Sequence, residues 1–121
     1  MSRTIKIAPP NSLLCISGSG WGETPEMIEM QPFWATPSCI LVACLCFADG
    51  QTSVTFGPAS DVNRSEKPLI DMMLDTPERD VVVATVELEV LLKMAVPSTH
   101  TRVRVWTNRE QEPDQVTIGI G

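Results

Sequence analysis

Five side-chain groupings in this sequence have residue types that chemistry could use. Cys44-x-Cys46 places two thiols two residues apart, a spacing that can contribute to a metal site. Residues 17–22 read Ser-Gly-Ser-Gly-Trp-Gly, a glycine-rich turn of the kind that can wrap a phosphate when it leads into a helix. His100 is the sole histidine and the natural candidate for a general base. Carboxylates recur at Glu23, Glu26, Glu29 and at Asp71, Asp75, where an acid–base pair would be sought. Finally, Arg102, Arg104 and Trp106 alternate along one segment, and Arg and Trp are the residues that most often anchor protein interfaces.

Each catalytic reading meets a physical objection. The two thiols sit in the most apolar stretch of the chain, where a ligand thiolate would be poorly solvated, so no metal is expected. The glycine turn lacks the G-x-G-x-x-G spacing, and no Gly-Lys-Ser/Thr follows, so it reads as a turn and no cofactor is expected. His100 falls in a turn, where a solvated imidazole is the ordinary outcome. Carboxylate pairs are unavoidable in an acidic chain. A sugar-binding cleft would want aromatic walls, and only Trp21, Phe33, Trp34, Phe47, Phe56 and Trp106 are present. Non-catalytic binding is therefore the expectation.

The elements that would position these residues follow from period. The chain has 121 residues, one domain's worth, with 43% hydrophobic and 20% charged residues. Ten prolines exclude long helices and coiled coils. From 86 to 96 the even positions are Val, Leu, Val, Leu, Met, Val, and Glu87, Glu89, Leu91, Lys93 and Ala95 stand between them. That alternation predicts one long strand. A turn at 97–100 then leads to a strand at 101–107, and a loop at 108–115 to a strand at 116–120, which together predict a three-stranded meander. Residues 40–48 predict a buried strand, paired through Asp49-Gly50 with a strand at 52–56. A polar loop follows at 61–67. Further strands are expected at 5–7, 13–17, 69–74 and 81–84. Thr24-Pro25-Glu26 predicts a short helix near residues 24–31, with Thr24 as cap and Pro32 as its end. The expected fold is an all-β antiparallel β-sandwich of seven to eight short strands.

In the expected meander Arg102, Arg104 and Trp106 share an outward face with Glu87 and Glu89. This face is the candidate partner-binding surface, unless another part of the chain covers it or its charges pair across strands. Nine Lys and Arg against fifteen Asp and Glu give a net charge of −6, which disfavours direct nucleic-acid binding and favours a basic protein partner. Glu110, Glu112 and Asp114 extend the acidic surface. A self-associating, virion-like structural protein, hence a homo-oligomer, is the alternative, and a small-ligand binder or enzyme is a third. The longest apolar run, 39–48, is half of a membrane span, and no apolar signal region follows the first charges. A cytoplasmic protein with reduced cysteines is expected.

Residues 68–121 resemble the competence protein J family, small bacterial inhibitors of a DNA-entry nuclease. The likeness rests on a strand pair, the alternating 86–96 segment, the turn at Pro97 and a strand closing with Trp106-Thr107. Ser98 and Thr101 stand where that family has a glycine and an aromatic. The resemblance implies a small acidic β domain that binds a nuclease, and it transfers no binding residue.

Overall fold

The computed structural model describes residues 2–121, and they form ten strands in two five-stranded sheets. In one sheet the spatial order is β1 (Arg3–Ile7), β5 (Thr52–Pro58), β10 (Gln115–Ile120), β9 (His100–Thr107), β6 (Ile70–Asp75). In the other it is β3 (Phe33–Thr36), β4 (Cys39–Ala43), β2 (Leu13–Ser17), β7 (Asp80–Ala84), β8 (Val90–Ala95). Every neighbouring pair is antiparallel except β5 and β10, which run parallel. The all-β expectation holds, with more strands than the seven to eight expected and one parallel pair.

Alternation explains the core. Val103 and Val105 of β9, Val116, Ile118 and Ile120 of β10, and Val54 and Phe56 of β5 point inward from the first sheet. Leu14 and Ile16, Ile40 and Val42, and Val81 and Val83 answer them from the second. The opposite face of the second sheet is buried as well. There Cys15, Cys39 and Leu41 form a smaller cluster, against which Trp34 and Val86 pack. Burial on both faces is why β2 and β7 read as unbroken apolar runs.

Five expectations are corrected. No helix forms near residues 24–31; that segment is irregular, and Pro25 is its one buried residue. A short helix needs an apolar stripe to bury, and Met27, Ile28 and Met30 all face solvent. The strand expected at 40–48 ends at Ala43, and a 3-10 turn at Phe47–Asp49 carries the chain to the other sheet. Asp49-Gly50 is therefore a crossing between β4 and β5 and not a hairpin. The long strand at 86–96 starts only at Val90. Thr85 and Glu89 close a tight turn, with Thr85 N–H donating to Glu89 O at 3.0 Å and Leu88 at φ 66°. Thr85 Oγ1 also accepts the N–H groups of Glu87 and Glu89 at 3.3 Å each. Residues 97–100 likewise cross between sheets, so β8 and β9 are not partners and the three-stranded meander does not exist. β9 lies instead between β10 and β6. The strand β3, hydrogen-bonded to β4 through the turn at Pro37-Ser38, was not expected at all.

Candidate partner-binding surface

The residues proposed from sequence divide between the two sheets. Arg102, Arg104 and Trp106 do share the outward side of β9. Glu87 and Glu89 lie in the β7–β8 turn of the other sheet and are not their neighbours.

Trp106 is not an exposed anchor. It is 4% exposed, because the single α-helical turn α1 (Ala59–Val62) and the loop after it fold over this end of the sheet. Its Nε1–H donates to Glu66 O at 2.9 Å. Gly119 of β10 lies under the same cover, and a Cβ there would stand 3.2 Å from Trp106 Cζ3 and 3.3 Å from Val62 Cγ2. Glycine at 119 is what lets α1 approach so closely.

Both arginines donate within the chain, although Arg104 Nε is buried without a partner. Arg102 Nε and Nη2 donate to Asp71 Oδ1 and Oδ2 at 2.9 and 2.8 Å, a bidentate pair across the β9–β6 ladder. This contact holds the Asp71 carboxyl below the usual carboxylate range and raises Arg102. Arg104 Nη2 donates to Gly121 O at 2.8 Å. His100 Nε2 lies 3.5 Å from Asp75 Oδ1 in the same row. The β9 face is thus largely self-neutralised, with Trp106 sealed beneath.

Met73, opposite Arg102 on β6, and Phe47 are exposed singly, and a larger apolar group stands elsewhere. Met27, Ile28 and Met30 are 52%, 80% and 96% exposed. They belong to a strap, residues 21–32, stitched along β3. Thr36 Oγ1 donates to Glu23 O at 2.5 Å, Glu23 N–H donates to Ser38 Oγ at 2.8 Å, and Trp34 Nε1–H donates to Glu29 O at 3.0 Å. Ala43 N–H donates to Pro32 O at 3.0 Å and closes the strap's far end. Its start turns at Trp21 and Gly22, both at positive φ, and a Cβ on Gly22 would collide with the Ser38 backbone. The exposed carboxylates Glu23, Glu26 and Glu29 alternate with the apolar trio.

Glu87 and Glu89 belong to the opposite edge of this same sheet and not to β9. Val86 of their turn packs on the same Cys15–Cys39–Leu41 cluster as Trp34, which anchors the strap. Leu88 and Val90 beside them are 56% and 49% exposed. Apolar knobs among carboxylates therefore flank one face of the second sheet from both ends. The sequence does show the trio, as three large apolar residues between Pro25 and Pro32.

The remaining chemical candidates stay quiet. The glycine-rich turn lines a recess of about 200 Å³ with Asp75 and Glu78, and the Glu78 carboxylate lies directly against Gly20. Carboxylates at the mouth repel a phosphate. Asp80 is used structurally: burial opposes its ionisation, but the Ser19 N–H at 2.9 Å and the Lys93 ammonium at 3.6 Å outweigh that and keep its carboxyl below the usual range. Cys44 lies in the core, where burial pushes its thiol up to about 11. Among the described residues no three His, Cys, Asp or Glu side chains converge on a metal site, and no helix is long and apolar enough to cross a membrane.

No family model and no curated protein sequence matches the chain. Solved structures do. ComJ from Bacillus subtilis, described as the inhibitor of the DNA-degrading activity of NucA, superposes with a TM-score of 0.65. The match covers 99% of this chain and 96% of ComJ at 12% identity. The chain shares the fold of ComJ. A second structure, described as crocagin biosynthetic gene J, matches with a TM-score of 0.50 over 98% of this chain and 96% of its own, at 9% identity. The resemblance stated above for residues 68–121 extends, at the level of fold, over the whole chain.

Proposed function

We propose that this protein is a non-catalytic inhibitor that occludes a basic protein surface, such as the DNA-binding site of a nuclease. The observation that carries the reading is the strap: three large apolar side chains held out to solvent on a segment tied down at both ends. A tethered loop loses little further freedom on docking, so its apolar area converts to affinity with small entropic cost. The alternating carboxylates of Glu23, Glu26 and Glu29, with Glu87 and Glu89 at the opposite edge of the same sheet, complement a site built to hold phosphates. A chain of net charge −6 also steers toward such a site. The match to ComJ, which inhibits a DNA-degrading activity, supports the same reading.

The test is a DNA-degradation assay with a basic nuclease from the same host, titrated with this protein. Stoichiometric protection that weakens as salt rises supports inhibition through charged contacts. Undiminished degradation at excess protein, together with concentration-dependent growth in sedimentation, would move the strap to self-assembly instead.

A further inference from the structure

The geometry points to Cys15 and Cys39 as a reversible disulfide site on the outer face of the second sheet, closed by a hydroperoxide oxidant. Cys15 of β2 pairs with Leu41, and Cys39 of β4 pairs with Ser17, so the two cysteines are diagonal neighbours on adjacent strands. Their Sγ atoms are 3.5 Å apart. Diagonal positions of one sheet face are about 7–8 Å apart, at the outer limit of disulfide span, so closing this pair takes a small approach of β2 and β4 as well as side-chain rotation. Cys44 belongs to the core between the sheets, on the other side of the second sheet, and does not compete for either partner.

The two thiols are inequivalent. The hydrogen bond from Cys39 favours the Cys15 thiolate more than burial disfavours it, whereas the same bond and burial hold the proton on Cys39. Cys15 also keeps 7% of its surface against 1% for Cys39. The greater thiolate character of Cys15 makes it the attacking sulfur and Cys39 the resolving thiol once peroxide reaches these buried groups. The Cys15 thiolate attacks a peroxide oxygen, the O–O bond breaks, and hydroxide, or an alkoxide from an organic peroxide, leaves to take up a proton. Cys39 sulfur then attacks the Cys15 sulfenic acid; the S–S bond forms, and the sulfenic oxygen departs as water with the Cys39 proton. Two thiols lose two electrons, and one peroxide gains them.

The linked segment, residues 15–39, contains the whole strap and β3. Trp34 packs on the cluster that contains both cysteines and holds Glu29, so closure of the bond stiffens the platform beneath the strap. This inference stands on the thiol geometry and does not depend on the proposed inhibitor role.

The experiment uses the full chain carrying Cys46→Ser, which removes the half-buried competing thiol. Hydrogen peroxide is added, and intact mass, alkylatable thiols and disulfide-linked peptides are followed. The expected result is loss of two hydrogens from the mass, one remaining alkylatable thiol, a peptide linking 15 to 39, and full reversal by dithiothreitol. Cys39→Ser should instead accumulate a dimedone-reactive Cys15, and Cys15→Ser should react at least about tenfold more slowly. Cys15→Ala serves if the serine variant misfolds. Oxygen added to Cys15 without the linked peptide, a link that includes Cys44, or three thiols intact after peroxide would each overturn the proposal.

Discussion

Gly119→Ala separates two physical effects of opposite sign. Gly119 lies in a regular strand and carries no positive φ, so backbone entropy alone predicts that alanine stabilises the fold by about 0.4–1 kcal/mol. Packing predicts the reverse. The new Cβ would stand 3.2 Å from Trp106 Cζ3, 3.3 Å from Val62 Cγ2 and 3.4 Å from Ala59 Cα. The tryptophan cannot swing aside cheaply, because its indole N–H is bonded to Glu66 O and its strand is paired on both sides. Overpacking of a held contact costs about 1–3 kcal/mol, which outweighs the entropic gain. With an unfolding entropy of roughly 2.1 cal/mol/K per residue, 1 kcal/mol is about 4 °C here, so the midpoint should fall by several degrees. Calorimetry gives the sign, and Trp fluorescence should shift red as α1 lifts. Gly119→Ala combined with Val62→Ala should lose less than the two single losses added together, since the smaller side chain makes room. A variant as stable as the parent, with unchanged fluorescence, would refute the claim that α1 seals Trp106.

Other expectations follow from burial and charge. Leu74→Ala, in the core, should cost about 2–5 kcal/mol in urea unfolding, whereas Leu88→Ala, in the exposed β7–β8 turn, should stay within about 0.5 kcal/mol. Equal losses would restore a continuous strand through residue 88. Cys44 keeps its proton in the folded state up to about 11 but releases it near 9.0 once unfolded. The unfolded chain then binds fewer protons, so this stabilising contribution is complete below pH 9 and is lost as pH rises toward 11. Urea midpoints should fall across that window, and less so in Cys44→Ala. Asp80 has the opposite sign: its folded carboxyl titrates below its ordinary 3.8, so its contribution is present above that value and disappears as pH drops below it. Asp80→Asn should flatten the acid limb of the stability profile; an unchanged limb would contradict the Ser19 and Lys93 contacts.

Period two made β6, β9 and β10 legible, because each buries alternate residues against one core, whereas β2 and β7, buried on both faces, were legible as unbroken apolar runs. It says nothing about which sheet a strand joins. Residues 97–100 look like a hairpin turn, yet they carry the chain from β8 in one sheet to β9 in the other. The alternation at 86–96 runs through a turn that exposes Leu88 and only then enters β8 at the half-exposed Val90, so the pattern outlasts the strand. Strand β3 is only four residues long and shows its Trp34 to the strap, too short a signal to stand out. The burial of Trp106 has a tertiary cause. Its outward direction follows from alternation, but its cover comes from Glu66 and α1, which lie at least 40 residues away in sequence. At 24–31 the local cap signal of Thr24-Pro25 was outweighed by the absence of any apolar face to bury.

The strap is the centre of the functional account, and titration calorimetry against a basic DNA-degrading nuclease of the same host tests it most directly. The protein is compared with its Met27→Ser/Ile28→Ser/Met30→Ser variant. Because these side chains are 52%, 80% and 96% exposed, folding stability should change by less than about 1 kcal/mol. Full burial of such a side chain is worth about 1.5–3 kcal/mol, so losing three from a docked interface should weaken binding by at least about a hundredfold. The account predicts a one-to-one complex that the folded variant no longer forms at the same concentrations. Equal affinity of the two proteins for the nuclease would contradict it.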